Sequence, residues 1–348
     1  MTATLQVIQI PNTPGRKAMI RALVVGAFDD HAAITVAERV TPQPTPSRSV
    51  IIDVRAAALG FPDALIARGL YQIKPDLPFV PGMEVYGTVR SAPADSSWSE
   101  GQAVVALTGA YGGCAEVVAV PEDWVYPAPT GLEPAAAAAS TVNFHTAYFA
   151  LVRRGRLQQG ERVIVHGAAG GVGNAAAQLA LALGAEVISV GRGDGPPANW
   201  PPTGGHHTWI SPADDWAEHV RAAVGQAGGD LIIDPVGGSW TRENLRLLAP
   251  EGRVISVGFA SGEIPEVGFN RLLLRNITVA GAAWREFVTE TAPSYGLEIA
   301  HRLNPLFQDG SLRSVPSAIL TLAQAPNALR DLAEGTRRGR VVVTFGAN

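Results

Sequence analysis

The stretch Arg162-Val163-Ile164-Val165-His166-Gly167-Ala168-Ala169-Gly170-Gly171-Val172-Gly173 decides the fold. Its opening residues read as a short strand buried on both faces. Small residues follow, then an Ala-rich helix through Ala182, then Leu183-Gly184-Ala185 and a second apolar run from Glu186 to Val190. Strand, glycine turn, helix and strand within about 30 residues make one βαβ unit. The turn suits an anion, because N–H groups at the positive end of a helix can meet a pyrophosphate only where no Cβ obstructs its approach. Gly170 supplies that approach, Gly173 lets helix and strand pack closely, and Ala169, Gly171 and Val172 complete the cradle. Ala168 stands where a G-x-G-x-x-G pattern has its first glycine and is small enough for the turn.

The end of the second strand bears on which dinucleotide is held. NAD-preferring folds place an acid there for the ribose 2′-hydroxyl, whereas this strand ends Val190-Gly191-Arg192. A cation in that place favours a 2′-phosphate, hence NADPH, with NADH left open because Asp194 would repel the phosphate if it pointed inward. The following run, Gly193 to Pro202, holds Pro196, Pro197, Pro201 and Pro202 and cannot form the helix that ordinarily follows such a strand.

On both sides of this unit the rhythm is informative. Downstream, short apolar runs at Asp230 to Ile233, Arg253 to Val257 and Ile277 to Ala280 alternate with helical stretches, as in a parallel sheet covered by helices. Upstream, runs such as Val50 to Val54, Gly87 to Val89 and Gln102 to Leu107 lie between Pro/Gly-rich turns, so the first part is β-rich. Pro42, Pro44 and Pro46 mark an exposed connector. Residues 1–18 read either as an added edge strand at Leu5 to Ile10 or as a disordered extension. Helices are expected near Pro293 to Leu303 and Ala323 to Leu332, and a last strand at Arg340 to Phe345. The 348 residues, 47% apolar and 17% charged, suffice for two cores.

Bulk properties exclude several function classes. A net charge of −4 gives no field for wrapping nucleic acid or an anionic membrane surface. No run approaches the roughly 20 apolar residues of a membrane span, and Met1 to Lys17 does not read as a signal peptide. The single cysteine, Cys114, rules out an internal disulfide and a thiolate-built zinc lobe, and fits a reducing, cytoplasmic setting.

Seven segments together resemble the zinc-independent quinone oxidoreductases and enoyl reductases of the medium-chain dehydrogenase/reductase superfamily. They are Gly69-Leu70-Tyr71, Pro78 to Glu84, Gly112 to Glu116, Asn143 to Tyr148, His166 to Gly173, Asp234 to Gly238, and Gly258 to Gly262. The resemblance runs from about Met19 to Phe345. It implies an α/β architecture with a GroES-like β-rich catalytic domain, residues 1–141 completed by 284–348, and a Rossmann doubly wound parallel-sheet domain, residues 142–283. It further implies that Asn143 and Thr146 sit near the nicotinamide riboside, with Val236 and the turn of Gly258, Phe259 and Ser261 also on the cofactor. Arg340 stands for the lysine of the family's Gly-Lys-Val segment. A homodimer joined through the edge strand near Ile277 to Ala280 is implied as well.

Zinc-dependent relatives place a cysteine where this chain has Gly60-Phe61, a histidine where it has Met83, and a second cysteine near Val142. Those ligands are missing, and a catalytic zinc needs about three; no metal is expected. His166 reads as a core or loop histidine and His206-His207 as a solvated loop. Without a metal the acceptor must already be electrophilic: a quinone, an enone or another activated double bond. Tyr71 matches a family position whose phenol lies in the cleft and is the candidate acid, with Phe61 and Trp284 as further cleft walls. Gly60 replaces a family asparagine, which would remove one polar contact. Two alternatives stand beside a small-molecule quinone or enone reductase: an enoyl-thioester reductase of a fatty-acyl or polyketide pathway, and a non-catalytic NADPH-binding protein.

Overall fold

The computed structural model describes residues 19–29, 31–42, 48–197, 200, 206–213, 215–337 and 339–346. The expected strand Leu5 to Ile10 and most of the 42–46 connector lie outside these.

A six-stranded parallel sheet carries the glycine loop. From one edge its strands run His207–Ile210, Glu186–Val190, Arg162–His166, Gly229–Asp234, Leu248–Ser256 and Thr278–Gly281. The order reverses beside Arg162–His166, and at such a switch point the strand ends diverge and leave a crevice for ligands. Val163, Ile164 and Val165 are fully buried, as an all-apolar central strand covered on both faces requires. Helices Gly171–Ala182, Trp216–Val224 and Trp240–Leu247 supply those covers.

The β-rich part is a seven-stranded sheet plus a hairpin, Met19–Val25 with Ile34–Val40. Its long central strand Ser49–Leu59 pairs with Glu84–Ser91, Val117–Pro121 and, from the far end of the chain, Val341–Thr344. Ala318–Thr321 adds parallel to that last strand. The C-terminus thereby returns to the first sheet. Two helices that precede it, Trp284–Glu290 and Tyr295–Gln308, instead share a core with the parallel-sheet domain, through Trp284, Val288, Ile299 and Leu303.

Sequence reading missed the strand His207–Ile210. His207 opens that strand half-buried, with Nε2 3.0 Å from Ser189 Oγ, so it is not a solvated loop residue. Residues 191–197 form bends with no helix, as the prolines dictate. Among the described residues no helix is long and apolar enough to cross a membrane.

Candidate active site

Gly170, in extended backbone, caps helix Gly171–Ala182, and Ala169 and Gly170 face solvent. The first N–H groups of a helix have no intrahelical acceptor, so this exposed rim is a ready anion site. Gly173 is a glycine by necessity: a Cβ there would overlap the Gly167 carbonyl and come 2.7 Å from that of His166. At Gly171 a Cβ would meet Asn143 Oδ1 at 2.7 Å, which places Asn143 against the loop. Ala168 differs from expectation. Its side chain is buried and its N–H is spent on the Val190 carbonyl at 3.1 Å, so it shapes the turn from beneath and presents nothing to a ligand.

The turns after neighbouring strands join the loop. Ala260 and Ser261 donate backbone N–H groups to the carbonyls of Pro235 and Val236 at 3.0 Å each, which locks the 234–238 turn to Gly258-Phe259. Asp234 Oδ1 accepts the N–H groups of Val236 and Gly237 at 2.9 Å. Its other oxygen accepts from Asn244, whose Oδ1 lies 2.6 Å from His166 Nε2. His166 is wholly buried between Trp216 and Trp240, and burial holds it below the ordinary histidine range. It is a core histidine that ties the end of the loop's strand to the next turn. Asn244 and Asp234 were not singled out as this link by sequence reading, since a polar pair on helix and strand carries no motif.

At the adenosine end Gly191 is buried and Arg192 exposed. The Trp209 ring lies where a Cβ on Gly191 would be, at 2.5 Å, and its Nε1 donates to the Gly193 carbonyl at 3.0 Å. Trp200 stacks on His207 at 4.8 Å beside it. Aromatic packing thus stands in for the missing helix and leaves Arg192 free over the strand ends. The backbone cradle, the free helix start and the exposed cation fit a dinucleotide phosphate.

The facing wall belongs to the β-rich domain. Asp63 is fully buried and accepts the N–H groups of Gly60 and Gly82 at 2.8 and 2.9 Å. Burial pushes its carboxyl above the usual carboxylate range, opposed by the nearby Arg340 guanidinium and those two N–H groups. Arg340, expected on the cofactor, is itself buried and ion-paired with the fully buried Glu84. Its guanidinium fills the space a side chain on Gly60 would take. The other Glu84 oxygen accepts the Val142 N–H at 2.6 Å, at the start of helix Thr141–Tyr148, which carries Asn143 and the half-buried Thr146. Glu84 therefore couples this charged floor to the helix that braces the phosphate loop.

Above the floor, Tyr71 is partly buried, and desolvation raises its phenol pKa while Arg285 opposes the rise. Arg285 lies with its guanidinium carbon 5.7 Å from the Tyr71 ring centroid. Phe61, exposed, opens the helix Phe61–Ala67 beside Asp63. Trp284 is not a cleft wall: it is 2% exposed and packs edge-on to His145 at 5.0 Å. Among the described residues no group of three or more His, Cys, Asp or Glu side chains is placed to hold a metal.

An alcohol dehydrogenase GroES-like domain profile matches residues 46–130, and a zinc-binding dehydrogenase profile matches 171–299. Over 312 residues the chain is 32% identical to quinone oxidoreductase-like protein 2 of Bos taurus, covering 89% of each. It belongs to the quinone oxidoreductase and enoyl reductase branch of the medium-chain dehydrogenase/reductase superfamily. Two solved structures fit this membership. A probable oxidoreductase from Mycobacterium abscessus is 37% identical with a TM-score of 0.83, over 94% of this chain and 100% of that one. The quinone oxidoreductase of Thermus thermophilus, also solved with NADPH, is 32% identical with a TM-score of 0.74, over 93% and 100%. The chain is thus an oxidoreductase with a nicotinamide-cofactor fold.

Proposed function

We propose that this chain is an NADPH-dependent reductase that passes hydride, without a metal, to a quinone or an α,β-unsaturated carbonyl compound. The observation that carries the reading is the floor of the cleft. Where zinc-dependent relatives have ligands, Gly60 and Met83 offer none, and the Arg340 guanidinium occupies the space against Gly60 between Asp63 and Glu84. A guanidinium ion-paired with Glu84 and packed near Asp63 has no vacant coordination position to act as a Lewis acid for an alkoxide, so the electrophile must come with the substrate. The bound nicotinamide would supply the hydride. Residues 169–173 and Arg192 would hold its phosphates, and Asn143, Thr146 and the 258–261 turn would lie along the nicotinamide side. Tyr71 would donate the proton that completes the reduction.

NADPH is preferred in this reading because Arg192 is exposed at the strand end with no acid beside Gly191. The working unit would be a homodimer built on the exposed edge strand Thr278–Gly281 and helix Phe269–Arg275, which presents Phe269 and Leu273 to solvent at 84% and 76% exposure. Fluorescence titration with NADPH and NADH, followed by NADPH oxidation with 1,4-benzoquinone and 2-cyclohexen-1-one, tests the proposal. Tighter NADPH binding with turnover of either acceptor is expected. Binding with no turnover of any quinone, enone or enoyl thioester would transfer the chain to a non-catalytic role.

A further inference from the structure

Helix Trp284–Glu290 begins just after the strand Thr278–Gly281, hence on the same rim of the parallel sheet as the phosphate loop and the 258–261 turn. Its second residue reaches across the mouth. Arg285 sets its guanidinium over the ring of Tyr71, a residue of the opposite domain. Only 12% of its side chain is exposed. Nη2 is ion-paired with Glu286, whereas Nη1 is buried without an acceptor. A buried guanidinium N–H with no acceptor is costly, and such a group persists in a fold where a ligand completes it. Arg340, the other buried cation at this site, also has Nε and Nη2 without a hydrogen-bond acceptor, but its guanidinium is ion-paired with Glu84 and packed against Gly60 in the cleft floor.

We infer that Arg285 receives the substrate's carbonyl oxygen, and that the acceptors of this enzyme are conjugated carbonyl compounds oriented with that oxygen between Arg285 Nη1 and the Tyr71 phenol. This rests on the reductase reading above. During reduction a hydride from the nicotinamide forms the new C–H bond at the β-carbon, and the alkene π pair moves toward the carbonyl. The oxygen then carries the negative charge of an enolate; a quinone gives the same kind of enolate, which becomes the aromatic hydroquinone once a ring C–H proton passes through solvent to the other oxygen. Arg285 neutralises that charge in a partly desolvated pocket, where a fixed cation is worth far more than in water. Tyr71 gives its proton to the α-carbon, or to the enolate oxygen where the acceptor is a quinone, and recovers it from solvent. Guanidinium geometry matters because the planar fork pairs Nη2 with Glu286 and leaves Nη1 without a partner beside the Tyr71 ring; a lysine would keep the charge and lose one of the two.

The test uses the full chain with Arg285→Gln and Arg285→Lys. Two readouts are taken: kcat/KM for 2-cyclohexen-1-one and 1,4-naphthoquinone, and the ionisation of bound 4-nitrophenol, an oxyanion probe whose absorbance separates phenol from phenolate. In the wild-type complex with NADP+ the probe's pKa should fall by about one unit, as for an acid beside a cation. Arg285→Gln should abolish that shift, leave NADPH affinity within twofold, and lower kcat/KM roughly 100-fold, as loss of one oxyanion donor does. Arg285→Lys should lie between, and it decides by the same two readouts if the glutamine variant does not fold. Turnover within threefold of wild type together with an unchanged probe pKa in the variants would overturn the inference. A wild-type enzyme that reduces no acceptor would instead defeat the reductase reading, while the probe titration still decides whether Arg285 holds an oxyanion.

Discussion

Replacing Arg340 with methionine tests the architecture of the cleft floor. Asp63 and Glu84 are both wholly buried, and the guanidinium between them is the cation the structure gives them. Methionine keeps the side chain only as far as Nε, empties the space of the guanidinium and leaves two buried carboxyls with nothing positive beside them. Removing one member of a buried ion pair typically costs about 3–5 kcal/mol. Protonation sets a ceiling on that cost. Neutralising one aspartate at pH 7 against an unfolded value of about 3.9 takes roughly 4 kcal/mol, and the ceiling moves by about 1.4 kcal/mol for each pH unit.

The sign follows from Asp63, whose folded-state carboxyl already sits above its ordinary range through burial. Such a group contributes stability below its unfolded pKa and loses it as pH rises through the folded value. Losing Arg340 raises the folded value further, so the variant's deficit must grow with pH. The deficit should be smallest at pH 5.5, reach about 3–4 kcal/mol at pH 7 and be larger again at pH 8. Urea unfolding followed by circular dichroism at those three pH values measures it. A loss under about 1 kcal/mol at pH 7, or one equal at pH 5.5 and 8, would refute the claim that Arg340 neutralises buried carboxylates.

Other expectations rest on single contacts. Gly171→Ala puts a methyl 2.7 Å from Asn143 Oδ1, and the shift needed to relieve it should weaken NADPH binding about tenfold, the equivalent of one charge-assisted hydrogen bond, with little change in thermal midpoint. Arg192→Ala should raise the dissociation constant for NADPH by roughly tenfold and leave NADH unchanged in the same fluorescence titration. His145, buried with Nδ1 unpartnered, is held down to about 3 by desolvation. The unfolded chain takes up a proton near pH 6.5 that the folded chain refuses, so this group removes about 1.4 kcal/mol per pH unit as pH falls from there toward 4. His145→Phe should flatten that acid limb in chemical unfolding. Val279→Asp on the exposed edge strand should yield monomers in sedimentation velocity if the proposed dimer forms there.

What could be read from the sequence was what lies close together along the chain. The phosphate cradle is one βαβ unit whose steric logic is local, so even the substitution at Ala168 did not hide it, although the alanine turned out to pack beneath the loop. The strand His207–Ile210 escaped notice because four residues opening on a histidine, after a run of prolines, carry no period strong enough to read. Trp284 misled for a different reason: an aromatic after a small-residue turn looks the same on a cleft wall as in a core, and only its packing on His145 separates the two. Arg285, the residue beside it, had a signal that went unused, namely a cation just past the C-terminal end of a parallel strand, on the rim where such sheets bind ligands. Gly60 shows the limit most clearly. Taken alone, a glycine in place of an asparagine or a cysteine means a lost polar contact. The structure places there a guanidinium from the last strand, which the antiparallel pairing of Val341–Thr344 with Ser49–Leu59 delivers to that point. The position did not lose its polar group; it exchanged a local one for a distant one, and with it a neutral or metal-binding floor for one whose charge is balanced by Asp63 and Glu84 and whose electrophile must arrive with the substrate.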